Sequence, residues 1–93
     1  MQLALRDEEE FTSIDLVLND GTLDLSGQDM GPMVRRLQGD ADYEYGIRIA
    51  PADLPKLAFA LIAEHYKGDL SAVQKVRELA ERHEIEPNFW TWA

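Results

Sequence analysis

The chain has 93 residues, with 18 acidic against 9 basic side chains and no cysteine. A formal net charge of −9 opposes binding to a phosphate backbone, whose affinity comes from Lys and Arg releasing counterions, so nucleic acid is not an expected partner. Without cysteine there is no disulfide framework, no thiol nucleophile and no thiolate zinc site, and 45% apolar residues with 6 Gly and 4 Pro make a globular composition, expected to fold as one α+β domain over residues 1–93.

In chain order, Gln2 to Arg6 alternates with Leu3 and Leu5 on one side and suits a short strand, followed by the solvated turn Asp7-Glu8-Glu9-Glu10. From Thr12 to Asn19, Ile14, Leu16 and Leu18 recur at period two opposite Ser13, Asp15 and Val17, the pattern of a half-buried strand. Asn19-Asp20-Gly21 supplies residues that tolerate positive φ. Thr22 to Ser26 alternates again with Leu23 and Leu25, so the two runs form a β-hairpin whose second strand is expected to stop at Gly27. An irregular link follows, in which Pro32 opens a short helical turn with Met33, Val34 and Leu37 and Gly39 closes it.

Asp42 to Ala50 puts Tyr43, Tyr45, Ile47 and Ile49 on one side, which predicts a further strand. Asp53 is placed to cap a helix that tolerates Pro55 in its first turn, carries Leu54, Leu57, Ala58, Leu61 and Ile62 on one face, and runs to about Tyr66. Gly68 suits the residue just past its end. A second helix is expected to start at Ser71, spaced from Gln74 as a capping box, with Asp69 as the other candidate cap and an apolar stripe of Val73, Val76, Leu79 and Ala80. Arg77 with Glu81 and Glu78 with Arg82 are i,i+4 pairs on its solvent face. Glu86-Pro87 is expected to end this helix, and Phe89, Trp90 and Trp92 argue that the tail docks as a last strand or an extended edge. The sum is an α+β fold: an antiparallel sheet of about four to five strands with two helices packed on one face.

Chemistry-bearing patterns are sparse. No nucleophile-elbow motif is present, and His65 and His83, each near a helix C-terminus, read as capping or solvent-exposed groups, so no catalytic residue is assigned and the chain is not expected to be an enzyme. Asp24, Asp29, Asp40, Asp42 and Glu44 cluster in sequence but match no EF-hand spacing, and His83-Glu84 is not part of a zincin helix, so no metal ligand is assigned. Gly27, Gly31 and Gly39 are too scattered for a phosphate cradle. No cofactor is expected. Met1 to Glu10 lacks an apolar core of signal-peptide length and the longest apolar run is Leu57 to Ala63, so neither secretion nor a membrane partner is expected and the cytoplasm is the expected compartment.

The most idiosyncratic stretch runs from Leu25 to Tyr45. Gln28 and Asp29 either satisfy backbone donors in a tight turn or, with Asp42, Glu44 and Tyr45, display a polar, partly aromatic recognition surface. Trp90 and Trp92 either pack in a core or, if wet, mark a partner surface or a homodimer contact. The segments Leu25-Ser26-Gly27-Gln28-Asp29-Met30-Gly31-Pro32 and Asp42-Tyr43-Glu44-Tyr45, followed by an apolar Leu-Pro-x-Leu helix, resemble a family of small, mostly uncharacterised bacterial proteins. That resemblance spans most of the chain. It implies a single-domain α+β protein without catalytic residues, similar in some members to immunity proteins that neutralise toxins.

Together these features favour a non-enzymatic acidic module that binds a protein partner, one of basic character, with toxin neutralisation as the specific form. A structural or regulatory homo-oligomer is the alternative.

Overall fold

Asp20 and Gly21 both take left-handed backbone angles, φ 51° and 81°, and so close a two-residue turn of the primed type that matches the twist of its flanking strands. The hairpin is therefore the one the sequence predicts: β2 spans Phe11–Asn19 and β3 spans Thr22–Met30. Asn19 pairs with Thr22, and the ladder runs unbroken from there to Phe11 opposite Met30. With β1, Gln2–Arg6, and β4, Asp42–Ile49, it builds a four-stranded antiparallel sheet in the order β1-β2-β3-β4. The fold is α+β. The computed structural model describes residues 1–38 and 42–92, so Gly39, expected to end the short helix, and Asp40 lie outside the described residues.

β3 corrects one expectation. The strand continues through Gly27, Gln28 and Asp29 to Met30, three residues past the expected stop. As an inner strand, it has partners on both sides for this extension: Gly27 faces Ile14 on β2 and Tyr45 on β4. Those two ladders bond the backbone, and a glycine in their midst costs strand propensity without ending the strand. Gly31 then turns the chain with φ 140°, and α1, Pro32–Gln38, begins at the expected proline. Glu10, expected only as part of a solvated turn, accepts the backbone N–H of Met33 at 2.8 Å and so satisfies one donor at the start of α1.

The chain divides into two compact units, Met1–Leu57 and Ala58–Ala93. In the first, alternation gives the sheet two unlike faces. Ile14, Leu16, Leu23, Leu25, Tyr45 and Ile47 share one through their register, while Ser13, Asp15, Asp24, Ser26, Gln28 and Glu44 share the other. The four inner aliphatics of the first set are half-buried, and Gly27 is the single buried residue among those described.

Past β4, Asp53 does not cap a helix in the expected way; it sits in a short 3-10 turn, Pro51–Asp53, that runs straight into α2, Leu54–Tyr66. Two prolines at 51 and 55 favour this tight entry because neither offers an N–H to a longer-range bond. Beyond Tyr66, Gly68 takes φ 81° as expected, and Asp69 donates its N–H back to the Tyr66 carbonyl at 2.9 Å.

In the second unit, α3 covers Ala72–Arg82. Ser71 precedes it, but its hydroxyl makes no cap bond; Asp69, the other candidate, accepts the Ser71 N–H at 2.8 Å and the Lys75 ammonium at 2.7 Å. Gln74 donates to Glu78 at 3.0 Å, which occupies the acid expected to pair with Arg82, while Arg77 does meet Glu81 at 3.2 Å. α3 stops ahead of Pro87 because Glu84 adopts φ 59° and Ile85 donates back to the Ala80 carbonyl at 2.9 Å. The tail forms no strand over its described residues. It carries Phe89 beneath the Arg77 guanidinium, 4.1 Å from the ring centre, and Pro87, Phe89 and Trp90 share an apolar groove with Ala72, Val76 and Ala80.

Candidate functional site

The polar face of the sheet gathers most of its charge on three strands. Asp15 comes from β2, Asp24 and Gln28 from β3, and Asp42, Glu44 and Arg48 from β4, because positions of matched register project to the same side. Four carboxylates thus face one guanidinium. Arg48 Nε donates to Asp24 at 2.9 Å with its side chain 81% exposed, so the pair is held in water and neutralises one acid. Gln28 Nε2 donates to Asp42 at 3.0 Å, and the Ser13 hydroxyl donates to Asp15 at 3.4 Å. Asp15, Asp24, Ser26, Gln28, Glu44 and Arg48 line a shallow concavity of about 720 Å³.

The opposite face carries a second polar group at one end of its apolar field. Thr12 lies across from Asp29, and Gly27 lies across from Tyr45. The Thr12 hydroxyl donates to Asp29 Oδ1 at 2.9 Å and the Tyr45 hydroxyl donates to the same oxygen at 3.2 Å. Arg6 closes the chain of contacts, with Nη2 donating to Thr12 at 3.1 Å and Nε donating to the Glu10 carbonyl at 2.8 Å. Partial burial, foremost, and then the Asp29 charge hold the Tyr45 phenol above its ordinary pKa. Four side chains so tied present few free donors. They pin the end of the sheet where β1, β2, β3 and β4 meet.

The structure therefore separates the residues singled out in the sequence. Gln28, Asp42 and Glu44 stand on the acidic face, while Asp29 and Tyr45 stand on the other. Trp90 and Trp92 lie in the tail, 73% and 92% exposed. Asp15 and Arg48, which complete the acidic face, went unremarked in the sequence as site residues, as did Arg6 and Thr12, and Asp24 was weighed there only as part of an acidic cluster that fits no metal loop. The hairpin itself carried a signal for three of these: counting outward from Asp20-Gly21 pairs Thr12 with Asp29 and Val17 with Asp24, and sets Asp15 on the side of Ser26.

Elsewhere, His65 meets Tyr66 edge to face at 4.6 Å, and His83 is the residue that follows α3. No group of three or more His, Asp or Glu side chains is placed to hold a metal ion among the described residues. No helix of the described chain is long and apolar enough to cross a membrane. No family model, curated protein or solved structure matches the chain.

Proposed function

We propose that this chain is a non-enzymatic binding module whose acidic sheet face engages a basic protein partner, with toxin neutralisation as its most specific form. The observation that supports this reading is the gathering of Asp15, Asp24, Asp42 and Glu44 on one side of three adjacent strands, with Arg48 as the sole cation among them. Like charges on neighbouring strands weaken a sheet. A basic partner offsets that repulsion, and complementary fields raise the rate of encounter and the penalty for wrong partners. An inhibitor of a toxin with a basic active site needs this complementarity and no bond-making group.

The test is affinity capture from nuclease-treated lysate of the native cell at about 0.1 M and about 1 M salt, between which the screening length falls from about 10 Å to about 3 Å. Wild type is compared with the variant Asp15→Asn/Asp24→Asn/Glu44→Gln. A basic protein held in stoichiometric amount by wild type at low salt, and released both by high salt and by the variant, supports the reading. An identical set of captured proteins on both baits sinks it.

A homo-oligomer joined through the tail is the second reading, supported by the exposure of Trp90 and Trp92. Trp92→Ala leaves the sedimentation of a monomer unchanged and dissociates a dimer of this kind.

A further inference from the structure

The two edges of the sheet differ. β1 pairs with β2 through a register shift between Gln2 and Ala4, an irregularity of the kind that blunts an edge against further pairing. β4 has none. Its ladder with β3 runs through eight consecutive pairs, from Leu23 opposite Ile49 to Met30 opposite Asp42. It contains no proline, its three charges, Asp42, Glu44 and Arg48, are of both signs and so can pair across an edge as well as repel, and every residue from Asp42 to Arg48 is exposed. Among the described residues no strand pairs with its outer side. An edge of this length with no bulge and charges of both signs is a template for a strand of complementary charge.

We propose that β4 pairs antiparallel with β4 of a second copy, about a two-fold axis at Tyr45, to make one continuous eight-stranded sheet. The strand's own sequence argues for this occupant because it is complementary to itself in that register. Asp42 falls opposite Arg48 of the other copy, twice across the axis. Tyr43 falls opposite Ile47, also twice, an aromatic against a β-branched side chain. Glu44 faces Gly46 and lies diagonal to the same Arg48, so each guanidinium stands between two carboxylates. All seven pairs, 42 with 48 through 48 with 42, fall inside the strand.

Sliding by two residues one way sets Glu44 against Glu44. Sliding the other way keeps Glu44 opposite Arg48 and Tyr45 opposite Ile47, but it sets Gly46 against Gly46, which leaves the centre empty, and puts Asp42 opposite Ala50, beyond the strand, so only the Tyr45-centred register also gives Asp42 a guanidinium directly opposite. Sliding by one residue turns the apolar side of one copy toward the acidic side of the other. The pairing does not depend on the acidic-face reading, and it joins the acidic faces of the two copies side by side.

The full chain decides this in two measurements. Sedimentation from about 10 µM to about 1 mM covers the range expected of a small interface. Wild type is expected to pass from monomer to dimer, and Arg48→Glu is expected to weaken the dimer at least about tenfold, with Asp42→Arg/Arg48→Asp recovering it. The chain has no cysteine, so engineered thiols report register cleanly. An equimolar mixture of Tyr43→Cys and Ile47→Cys chains is expected to give a crosslinked heterodimer under mild oxidation, and each variant alone far less. A wild type that stays monomeric at the highest concentration overturns the proposal. So does a dimer that ignores Arg48→Glu, dissociates with Trp92→Ala, or crosslinks each single variant with itself as readily as the mixture.

Discussion

The ring of Tyr45 lies over Gly27, its register partner on β3, and fills the space that a side chain there needs. A Cβ at position 27 comes within 2.6 Å of the phenol oxygen, so the glycine serves a close approach and not a special backbone angle. Gly27→Ala is expected to push the ring aside, break its bond to Asp29 and destabilise the sheet by about 1–3 kcal/mol. In a Tyr45→Ala background the same change is expected to cost much less. Urea denaturation of the four chains of that double-mutant cycle measures the coupling.

Tyr45 also marks an alkaline limit. Its phenol is held above the ordinary value by partial burial and by the Asp29 charge, so the folded chain keeps a proton that the unfolded chain gives up near pH 10. The resulting stability is fully present below pH 10 and is lost as pH rises through the folded value. Tyr45 is expected to ionise late in an ultraviolet titration. Asp29→Asn is expected to bring that step down part of the way, since burial remains.

Most of the sheet was legible in the sequence because period-two alternation and a two-residue turn leave little freedom. β1 appears with its expected bounds, β2 begins one residue earlier than expected, and Asp20-Gly21 takes the left-handed angles its residues suggest. Gly27 misled the reading for a physical reason. A glycine after an alternating run signals a turn from local propensity alone, whereas here it makes room for a ring on a strand eighteen positions further on. Because the strand goes on, Gln28 and Asp29 point to opposite sides instead of sharing a loop. The β3–β4 register, which brings Arg48 to Asp24 and Tyr45 to Gly27, was not legible, since the connection between those strands sets no fixed count. In the tail only the strand failed to appear: three aromatic side chains within the four residues from Phe89 to Trp92 argue for docking, and Phe89 packs beneath Arg77 through a cation–π contact that needs no strand.

Asp69, not Ser71, anchors the start of α3. Its carboxyl is held below the usual carboxylate range by the hydrogen bond from Lys75, then by the Ser71 N–H. The stability this contributes is present above the ordinary value of 3.8 and is lost as pH falls through the folded value. Asp69→Ala is expected to speed amide exchange across the first turn of α3, and Ser71→Ala to leave it nearly unchanged. Hydrogen exchange followed residue by residue separates the two.

Glu10 plays a comparable part for α1 from a distance in sequence, through its 2.8 Å bond to the Met33 N–H. Glu10→Gln keeps an acceptor oxygen and is expected to retain the helix. Glu10→Ala removes it and is expected to cost about 1 kcal/mol, with faster exchange at Met33 as the local sign.

The proposed function requires negative charge gathered on one side of the sheet to hold a basic partner by contact alone. Its most direct measurement is the Kd of the captured protein against salt concentration, for wild type and for Asp15→Asn/Asp24→Asn/Glu44→Gln. The expected result is binding that weakens steadily with salt in wild type, together with a lower affinity and a flatter salt dependence in the variant. Equal affinity and an equal slope for the two proteins would contradict it.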